Sequence, residues 1–463
     1  MPNPFELRGK RVLVVGLART GVATALFCAA RGANVMATDA RAETEIGDAI
    51  VLLRTAGVGL ELGGHREDTF LEQDLIVPSP GVPADAPLVQ AARAKGVTIW
   101  SEVELADRFL DGRLIGITGS NGKTTTTSLI EHILKDAGFP TVLAGNIGTP
   151  LISRVGQTNN GTIAVVELSS FQLELIETFR PNISVFLNLT SDHLDRHHTF
   201  EAYRHAKARI FENQTEADSA VLNADDPATM SLTPPKPHVY WFSRKQRIAQ
   251  GAFMRENKIV FRHNGDEEAV LNLEEIPLMG AHNVENVLAA VVATRLAGAE
   301  PAAIAKGVRS FAGVEHRLEF VAEIGGVRYY NDSKATNVDA TLKALDAFPG
   351  RILIVLGGKD KGSDYTVLQK PLREKAILAL LIGAAAEKIE KQIAGSVAIE
   401  RAGVIERALE IASHAARPGD VVLLAPACAS FDQFQNYEHR GRVFKELVHQ
   451  LERQAASTTS GRG

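Results

Sequence analysis

Residues 115–127 read I-G-I-T-G-S-N-G-K-T-T-T-T, and few backbones accept such a run. An apolar stretch over 114–117 stops at a glycine-bearing loop. Lys123 and four threonines then open a helical pattern with Leu129, Ile130, Ile133 and Leu134 on one stripe. Strand, glycine loop, Lys-Thr and helix make the unit that cradles a nucleoside triphosphate. Backbone N–H groups and the helix N-terminus face the phosphates, the lysine supplies a point charge, and the next hydroxyl reaches Mg²⁺. The spacing departs from G-x-x-x-x-G-K-[ST], because Ile117 holds the place of the first glycine and the core is T-G-x-x-G-K-T. A glycine turn with a surface lysine is the bland alternative, and the order of strand, loop, lysine and hydroxyl argues against it.

A chain of 463 residues exceeds one ordinary core, and its length predicts about three domains. Short apolar strands alternate with helical patterns throughout, which predicts an α/β fold with mostly parallel sheets. The expected domains are a Rossmann-like domain over 1–111, a central P-loop ATPase-like domain over 112–312 and a Rossmann-like C-terminal domain over 313–463, with linkers near 111–112 and 312–313. Three domains around a cleft would suit an enzyme that closes on several substrates. A net charge of −5 gives no electrostatic case for nucleic acid. The longest apolar run, 376–386, is far short of the ~20 residues that span a membrane. Residues 1–10 lack the basic-then-apolar order of a secretion signal, so a cytoplasmic protein is expected. Cys28 and Cys428 lie far apart and read as small buried apolar residues rather than a disulfide or a metal site. The small, polar end over 455–463 is expected to fray.

In the first group a strand over 11–15 runs into G-L-A-R-T-G at 16–21 and a helix over 22–30. A second strand, 35–38, ends at Asp39, and a third, 75–77, ends at Pro78-Ser79-Pro80-Gly81. The loop approximates the dinucleotide fingerprint G-x-G-x-x-G, but Ala18 replaces the glycine that lets backbone approach a pyrophosphate. A nicotinamide oxidoreductase is therefore disfavoured, and a related nucleotide-binding fold is expected. Later strands are expected at 141–144, 162–167, 183–189, 220–223 and 239–242, then a hairpin-like stretch over 252–270 and a helix over 284–296. The last group has strands at 327–330, 351–356, 377–382 and 421–424.

Glu167 ends a strand. If that strand neighbours the phosphate-loop strand, its carboxylate is placed for Mg²⁺ or a metal-bound water; otherwise it is an acid at a helix N-terminus. The segment N-L-T-S-D-H-L-D-R-H-H over 188–198 is rich enough in His and Asp to raise a zinc site, but no second ligand cluster matches the usual spacings. His193 as one extra ligand near a Mg²⁺–phosphate centre fits better, with His197 and His198 as loop polar residues. Lys207, by spacing alone, reads as a helix-surface lysine. N-D-S-K-A-T-N at 331–337, G-G-K-D-K-G at 357–362 and P-A-C-A-S at 426–430 each follow a strand. Three such loops suggest one shared binding edge, though each alone could be a turn.

Together T-G-S-N-G-K-T-T, G-N-I-G at 145–148, E-L-S-S-F-Q-L, S-D-H-L-D-R-H, H-N-V-E-N and N-D-S-K-A-T-N resemble the Mur ligase family of peptidoglycan amide-bond ligases across essentially the whole chain. Within it, E-L-S-S-F-Q-L-E, N-D-S-K-A-T-N and P-A-C-A-S-F-D-Q-F most resemble the glutamate-adding branch. The resemblance implies ATP and probable-pair Mg²⁺ ions as cofactors, UDP-N-acetylmuramoyl-L-alanine and D-glutamate as substrates, and a monomer. It implies that Gly119, Ser120, Asn121, Gly122, Lys123, Thr124 and Thr125 hold the phosphates, with Thr124, Glu167 and His193 on metal. Lys207 matches the family lysine that CO₂ carbamylates into a further metal ligand. Asn283, Asn286, Arg317 and Asp332 would handle the nucleotide, with Arg317 at a hinge. Lys334, Thr336, Lys361, Ser430 and Phe431 would face D-glutamate, and Asn146 and the first-domain Thr20, Asp39, Arg41, Ser79 and Gly81 would contact the uridine nucleotide. Alternatives are a sibling ligase or a folylpolyglutamate synthase-like ligase with another amino acid, or a P-loop protein that does not couple ATP to an amine.

Overall fold

The computed structural model describes residues 5–460 except 147, 233 and 235; the side chains of residue 195 and of 456–460 are also outside it. Three sheets form within two compact units, one comprising 1–275 and 286–310 and the other 276–285 and 311–463.

The first sheet is parallel, with strands β1 (Arg11–Val15), β2 (Asn34–Asp39), β3 (Gly59–Leu62), β4 (Leu75–Pro78) and β5 (Thr98–Ile99) in the order β3-β2-β1-β4-β5. The unbroken apolar run of β1 has a simple cause: Val12 and Val14 enter one core while Leu13 and Val15 enter another, so both faces are covered. Gly21 is required by close approach, since a Cβ there would lie 1.8 Å from the Gly16 carbonyl oxygen. Ala18 caps the following helix, Arg19–Ala30, in an ordinary extended conformation.

The second sheet contains β6 (Arg113–Thr118), β7 (Thr141–Gly145), β8 (Ile163–Glu167), β9 (Ile183–Phe186), β10 (Ser219–Asn223), β11 (His238–Ser243), β12 (Gly251–Arg255), β13 (Lys258–His263) and β14 (Asp266–Asn272). Its order is β14-β13-β12-β11-β10-β9-β6-β8-β7. Strands β7 to β12 and β6 pair in parallel, and the expected hairpin is a three-stranded antiparallel extension, β12-β13-β14. One continuous core, from Val12 and Val14 of β1 to Ala164 and Val166 of β8, joins the first two sheets into a single unit. The helix Glu102–Asp107 lies between them with Val103, Leu105 and Ala106 fully buried.

The third sheet, in the other unit, contains β15 (Glu319–Ile324), β16 (Val327–Asn331), β17 (Ile352–Gly357), β18 (Ala376–Ile382), β19 (Ala398–Gly403) and β20 (Val421–Leu424) in the order β15-β16-β20-β17-β18-β19. Only β15 is antiparallel. Here too alternate residues part between two cores, Ile352, Ile354 and Leu356 on one side and Leu353 and Val355 on the other. The division between the units falls within the helix Ala281–Ala297, so Asn283 and Asn286 belong to different units. The expected fraying from 455 does not occur: the last helix runs Tyr437–Ser460, because Gln454, Ala455 and Ala456 are good helix formers. Residues 461–463 lie outside the described ones. Among the described residues no helix is long and apolar enough to cross a membrane.

Candidate active site

The loop between β6 and the helix Lys123–Asp136 needs glycine at two places. Gly119 has φ 144° and Gly122 φ 85°, and a Cβ on Gly122 would sit 2.4 Å from Asn286 Oδ1. Asn286 Oδ1 also accepts from Thr126 Oγ1 at 3.2 Å, tying its helix to the loop. The far wall is the segment after β9. Ser120 N donates to the Asn188 carbonyl at 2.9 Å, Asn121 N donates to Asn188 Oδ1 at 2.9 Å, and Asn188 Nδ2 donates back to the Asn121 carbonyl at 3.0 Å. Lys123 Nζ donates to the carbonyls of Gly119 and Ser120 at 2.9 and 2.8 Å, which holds its charge over the loop. Thr124 and Thr125 are buried in the first helical turn. A helix N-terminus with a lysine on it is an anion site.

β6 lies between β8 and β9, and Ile117 is in register with Glu167. The carboxylate is therefore at the same sheet edge as the loop, 2 % exposed, with Oε1 accepting from Asn146 Nδ2 at 2.9 Å. Asn146 N in turn donates to the Glu167 carbonyl at 2.9 Å, and Arg19 Nη1 donates to the Gly148 carbonyl at 2.5 Å. Ile147, in the same G-N-I-G segment, lies outside the described residues.

Lys207 departs from its reading as a surface lysine. Tyr203, Ala206, Lys207 and Ile210 form an i, i+3, i+4, i+7 stripe of buried residues, so Lys207 sits on the inner face and is 2 % exposed. Its Nζ donates to the Gly119 carbonyl at 2.9 Å. Burial, with the nearby Lys123 charge, holds this amine's pKa well below the ordinary lysine value, against the weaker pull of Asp192 and Glu167. Tyr203, which the sequence reading missed, donates or accepts at Ser120 Oγ over 3.1 Å and places its ring 4.9 Å from Lys207 Nζ. The same stripe would have revealed both. His193 has φ 52°, caps the helix Leu194–His197 and packs its ring 5.1 Å from Phe171. His197 is no loop residue on the surface: it is buried, stacks on Phe171 and meets Ser170 Oγ at 2.9 Å, whereas His198 is exposed.

The first-sheet residues gather around a cavity of about 350 Å³ whose lining includes Gly16, Asp39, Gly81 and Val82. Asp39 accepts from Leu17 N at 2.7 Å and from Arg41 Nη2 at 2.8 Å. Hydrogen bonding from Arg41 is the main reason its carboxyl is held down at about 2. Ser79 Oγ donates to the Gly16 carbonyl at 2.7 Å, and Thr20 stands in the first turn of the helix Arg19–Ala30.

In the other unit β16, β20 and β17 are neighbours, so the three loops that follow them emerge side by side. Asp332 and Lys334, Lys359 to Lys361, and Cys428 to Phe431 thus share one sheet edge. Asp332 is buried and its Oδ1 accepts no hydrogen bond among the described residues. Burial raises its carboxyl to about 6, opposed by Arg317, whose buried Nε likewise lacks a partner there. Two such atoms are suited to a polar ligand. Asn283 Nδ2 donates to the Met279 carbonyl at 2.7 Å. Lys334 Nζ is 5.2 Å from the Tyr437 ring, Thr336 N donates to the Lys334 carbonyl at 2.8 Å, and Lys361 is exposed. Ser430 is buried whereas Phe431 is 66 % exposed. Arg440, also missed, is fully buried and donates to Ser333 Oγ at 3.0 Å and to the Cys428 carbonyl at 3.2 Å, sewing two of the loops together. Its signal is weak, because one arginine in an amphipathic helix reads as surface.

Residues 10–101 match the Mur ligase MurD-like N-terminal domain, 117–294 the Mur ligase middle domain and 316–428 the Mur ligase glutamate ligase domain. The UDP-N-acetylmuramoylalanine–D-glutamate ligase of Koribacter versatilis is 54 % identical over 451 residues, covering 97 % of this chain and 99 % of that protein. The protein of the same name from Acidobacterium capsulatum is 54 % identical over 447 residues, covering 96 % and 97 %. Among solved structures, a pseudomurein peptide ligase type C from Methanothermus fervidus aligns with a TM-score of 0.60 at 20 % identity over 96 % of this chain and all of that one. A MurF ligase from Thermotoga maritima in complex with ADP aligns with a TM-score of 0.59 at 17 % identity, covering 97 % of each. At such identities these two show likeness of fold alone.

Proposed function

Because the chain belongs to the Mur ligase family, we propose that it is an ATP-dependent ligase joining UDP-N-acetylmuramoyl-L-alanine to D-glutamate in peptidoglycan precursor synthesis. The observation that carries the reaction class is the phosphate loop with Glu167 on the neighbouring strand and the Lys207 amine beneath Gly119.

A carboxylate is a poor acyl donor, since its leaving group would be oxide. Attack of a carboxylate oxygen on the γ-phosphorus of ATP expels ADP and gives an acyl phosphate. The amine then adds to the acyl carbon, loses a proton, and the tetrahedral intermediate expels inorganic phosphate as the amide forms. The protein's task is to hold anions together and neutralise them. The amides of 119–125 and Lys123 Nζ take the triphosphate. Asn283, Asn286, Arg317 and Asp332 take the rest of the nucleotide, in line with the two buried unpartnered atoms on Arg317 and Asp332. Thr20, Asp39, Arg41, Ser79 and Gly81 hold the uridine end, and Asn146 the region beside Glu167. Lys334, Thr336, Lys361, Ser430 and Phe431 receive the amino acid.

The Thr124 hydroxyl, the Glu167 carboxylate and the His193 imidazole are hard or borderline donors that suit Mg²⁺. When bound, Mg²⁺ supplies positive charge against the phosphate oxygens. A lysine cation would oppose that, but the depressed pKa of Lys207 favours a neutral amine. Such an amine can attack the carbon of CO₂ and lose a proton, which leaves a carbamate in place of a cation. The domain roles follow: 1–111 for the uridine nucleotide, 112–312 for ATP and 313–463 for the amino acid, in a monomeric cytoplasmic enzyme.

The test is phosphate release from MgATP and UDP-N-acetylmuramoyl-L-alanine with D-glutamate, L-glutamate, L-alanine or meso-diaminopimelate. Release that requires D-glutamate, with a product heavier by one glutamyl unit, is expected. Release that follows another amino acid would assign a sibling activity, and release indifferent to every amine would contradict the ligase.

A further inference from the structure

Below their exposed side chains, the loops after β17 and β20 are joined by hydrogen bonds that the mechanism above leaves unused. Lys359 N donates to the Ala429 carbonyl at 2.8 Å and Ala429 N donates back to the Lys359 carbonyl at 3.2 Å. One residue on, Asp360 Oδ1 accepts from Ser363 N at 3.1 Å and from the Tyr365 hydroxyl at 2.8 Å, and Oδ2 accepts from Lys388 Nζ at 2.7 Å. The Tyr365 hydroxyl also lies 3.0 Å from Cys428 Sγ. Tyr365 is fully buried, and its N donates to Gln392 Oε1 at 2.8 Å.

The polarity of this chain follows from its end. A carboxylate has no hydrogen to give, so the Tyr365 hydroxyl must donate to Asp360. Its oxygen is then free to accept, and the Cys428 thiol is the donor. Burial pushes the thiol up to about 11, which keeps its hydrogen. Burial also pushes the Asp360 carboxyl up, but the hydrogen bonds from Lys388, Tyr365 and Ser363 outweigh it and hold it below the usual value. Packing alone does not require this: a phenylalanine would fill the space, and a buried hydroxyl without a partner costs about 1–3 kcal/mol. The hydroxyl therefore fixes direction rather than volume. What it fixes is a soft loop, since Lys361 is exposed and Gly362 has φ 82°.

We propose that Asp360, Tyr365 and Cys428 form a positioning relay that sets the loop carrying Lys361 against the loop carrying Ser430, and thereby tunes the affinity for the amine substrate. The relay acts through the amine contacts proposed above and so rests on them. None of its three members touches substrate. Asp360 directly precedes Lys361, and Cys428 stands two residues before Ser430, so each end of the relay anchors the backbone of one contact residue.

Steady-state kinetics of the full-length enzyme test it, with KM measured separately for ATP, the uridine nucleotide and whichever amino acid the wild type couples to phosphate release. Tyr365→Phe keeps the ring and removes both hydrogen bonds, so it is expected to fold. Tyr365→Phe and Asp360→Asn should raise KM for the amino acid roughly 5- to 20-fold, as loss of one or two hydrogen bonds allows, and leave the other two KM values within about twofold. Cys428→Ser, which keeps a donor, should stay close to wild type, while Cys428→Ala should follow Tyr365→Phe. An unchanged amino-acid KM in Tyr365→Phe, or a rise shared equally by all three substrates, would overturn the relay. A wild type coupled to an amino acid other than D-glutamate would overturn the substrate assignment instead, and the relay is then judged on that amino acid.

Discussion

Lys207 is an amine removed from water and set under the loop that would carry the triphosphate, 2.9 Å from the Gly119 carbonyl. Burial and the charge on Lys123 both work against its protonation. Carbamylation would turn that disadvantage into a carboxylate where one is useful. Lys207→Ala should accordingly lower turnover by at least about 100-fold, the scale of losing a preorganised charge. Formate or acetate should restore part of it, whereas full activity without an added carboxylate would show that Lys207 carries no such role. This site was only half legible beforehand. Glu167 stood out because a carboxylate ending an apolar strand is unusual, and parallel pairing of β8 with β6 put it beside the loop. Lys207 did not, because a lysine was read from its polarity rather than from the buried stripe it shares with Tyr203, Ala206 and Ile210. Arg440 escaped for the same reason.

The helix Glu102–Asp107 contains buried acids where it passes from the first sheet to the second. Glu104 is satisfied, accepting the amides of Glu177, Thr178 and Phe179 at 2.8, 2.9 and 2.7 Å. Glu102 accepts from Ile152 N at 2.6 Å, yet its Oε2 accepts nothing among the described residues, and burial raises its carboxyl to about 7. Asp107 rises to about 7 as well, from burial and then from Glu104. A folded-state pKa above the unfolded value means the folded protein binds the proton more tightly. The stability Glu102 contributes is therefore complete below its unfolded value near 4.5 and is lost as pH rises through about 7. Glu102→Gln should match wild type in thermal unfolding near pH 4 and exceed it at pH 8, by on the order of 1–3 kcal/mol. Equal stability at both pH values would contradict the shift. Fully buried strands such as β1 and β17 were legible as apolar runs. β3, β5, β15 and β19 were not, because they are short or carry charge on a face that water reaches, as Glu400 and Arg401 do in β19.

At the scale of the whole chain, three α/β sheets were foreseen from the alternation of strands and helices, and three sheets are present. The union of the first two into one compact unit was not legible, because it depends on a core shared between distant strands such as β1 and β8. Nor could spacing locate a division inside the helix Ala281–Ala297, which reads as one uninterrupted pattern. The chemistry assigned to the molecule has one claim at its centre: that the carboxylate of the uridine nucleotide substrate is activated by phosphorylation before the amine attacks. Oxygen transfer tests it most directly. With ¹⁸O in both oxygens of the alanyl carboxylate, a turnover in MgATP and D-glutamate should release inorganic phosphate carrying one ¹⁸O, read by mass spectrometry or by the ³¹P isotope shift. Phosphate released without ¹⁸O, while the amide product still forms, would contradict the acyl phosphate and with it the central role given to the phosphate loop.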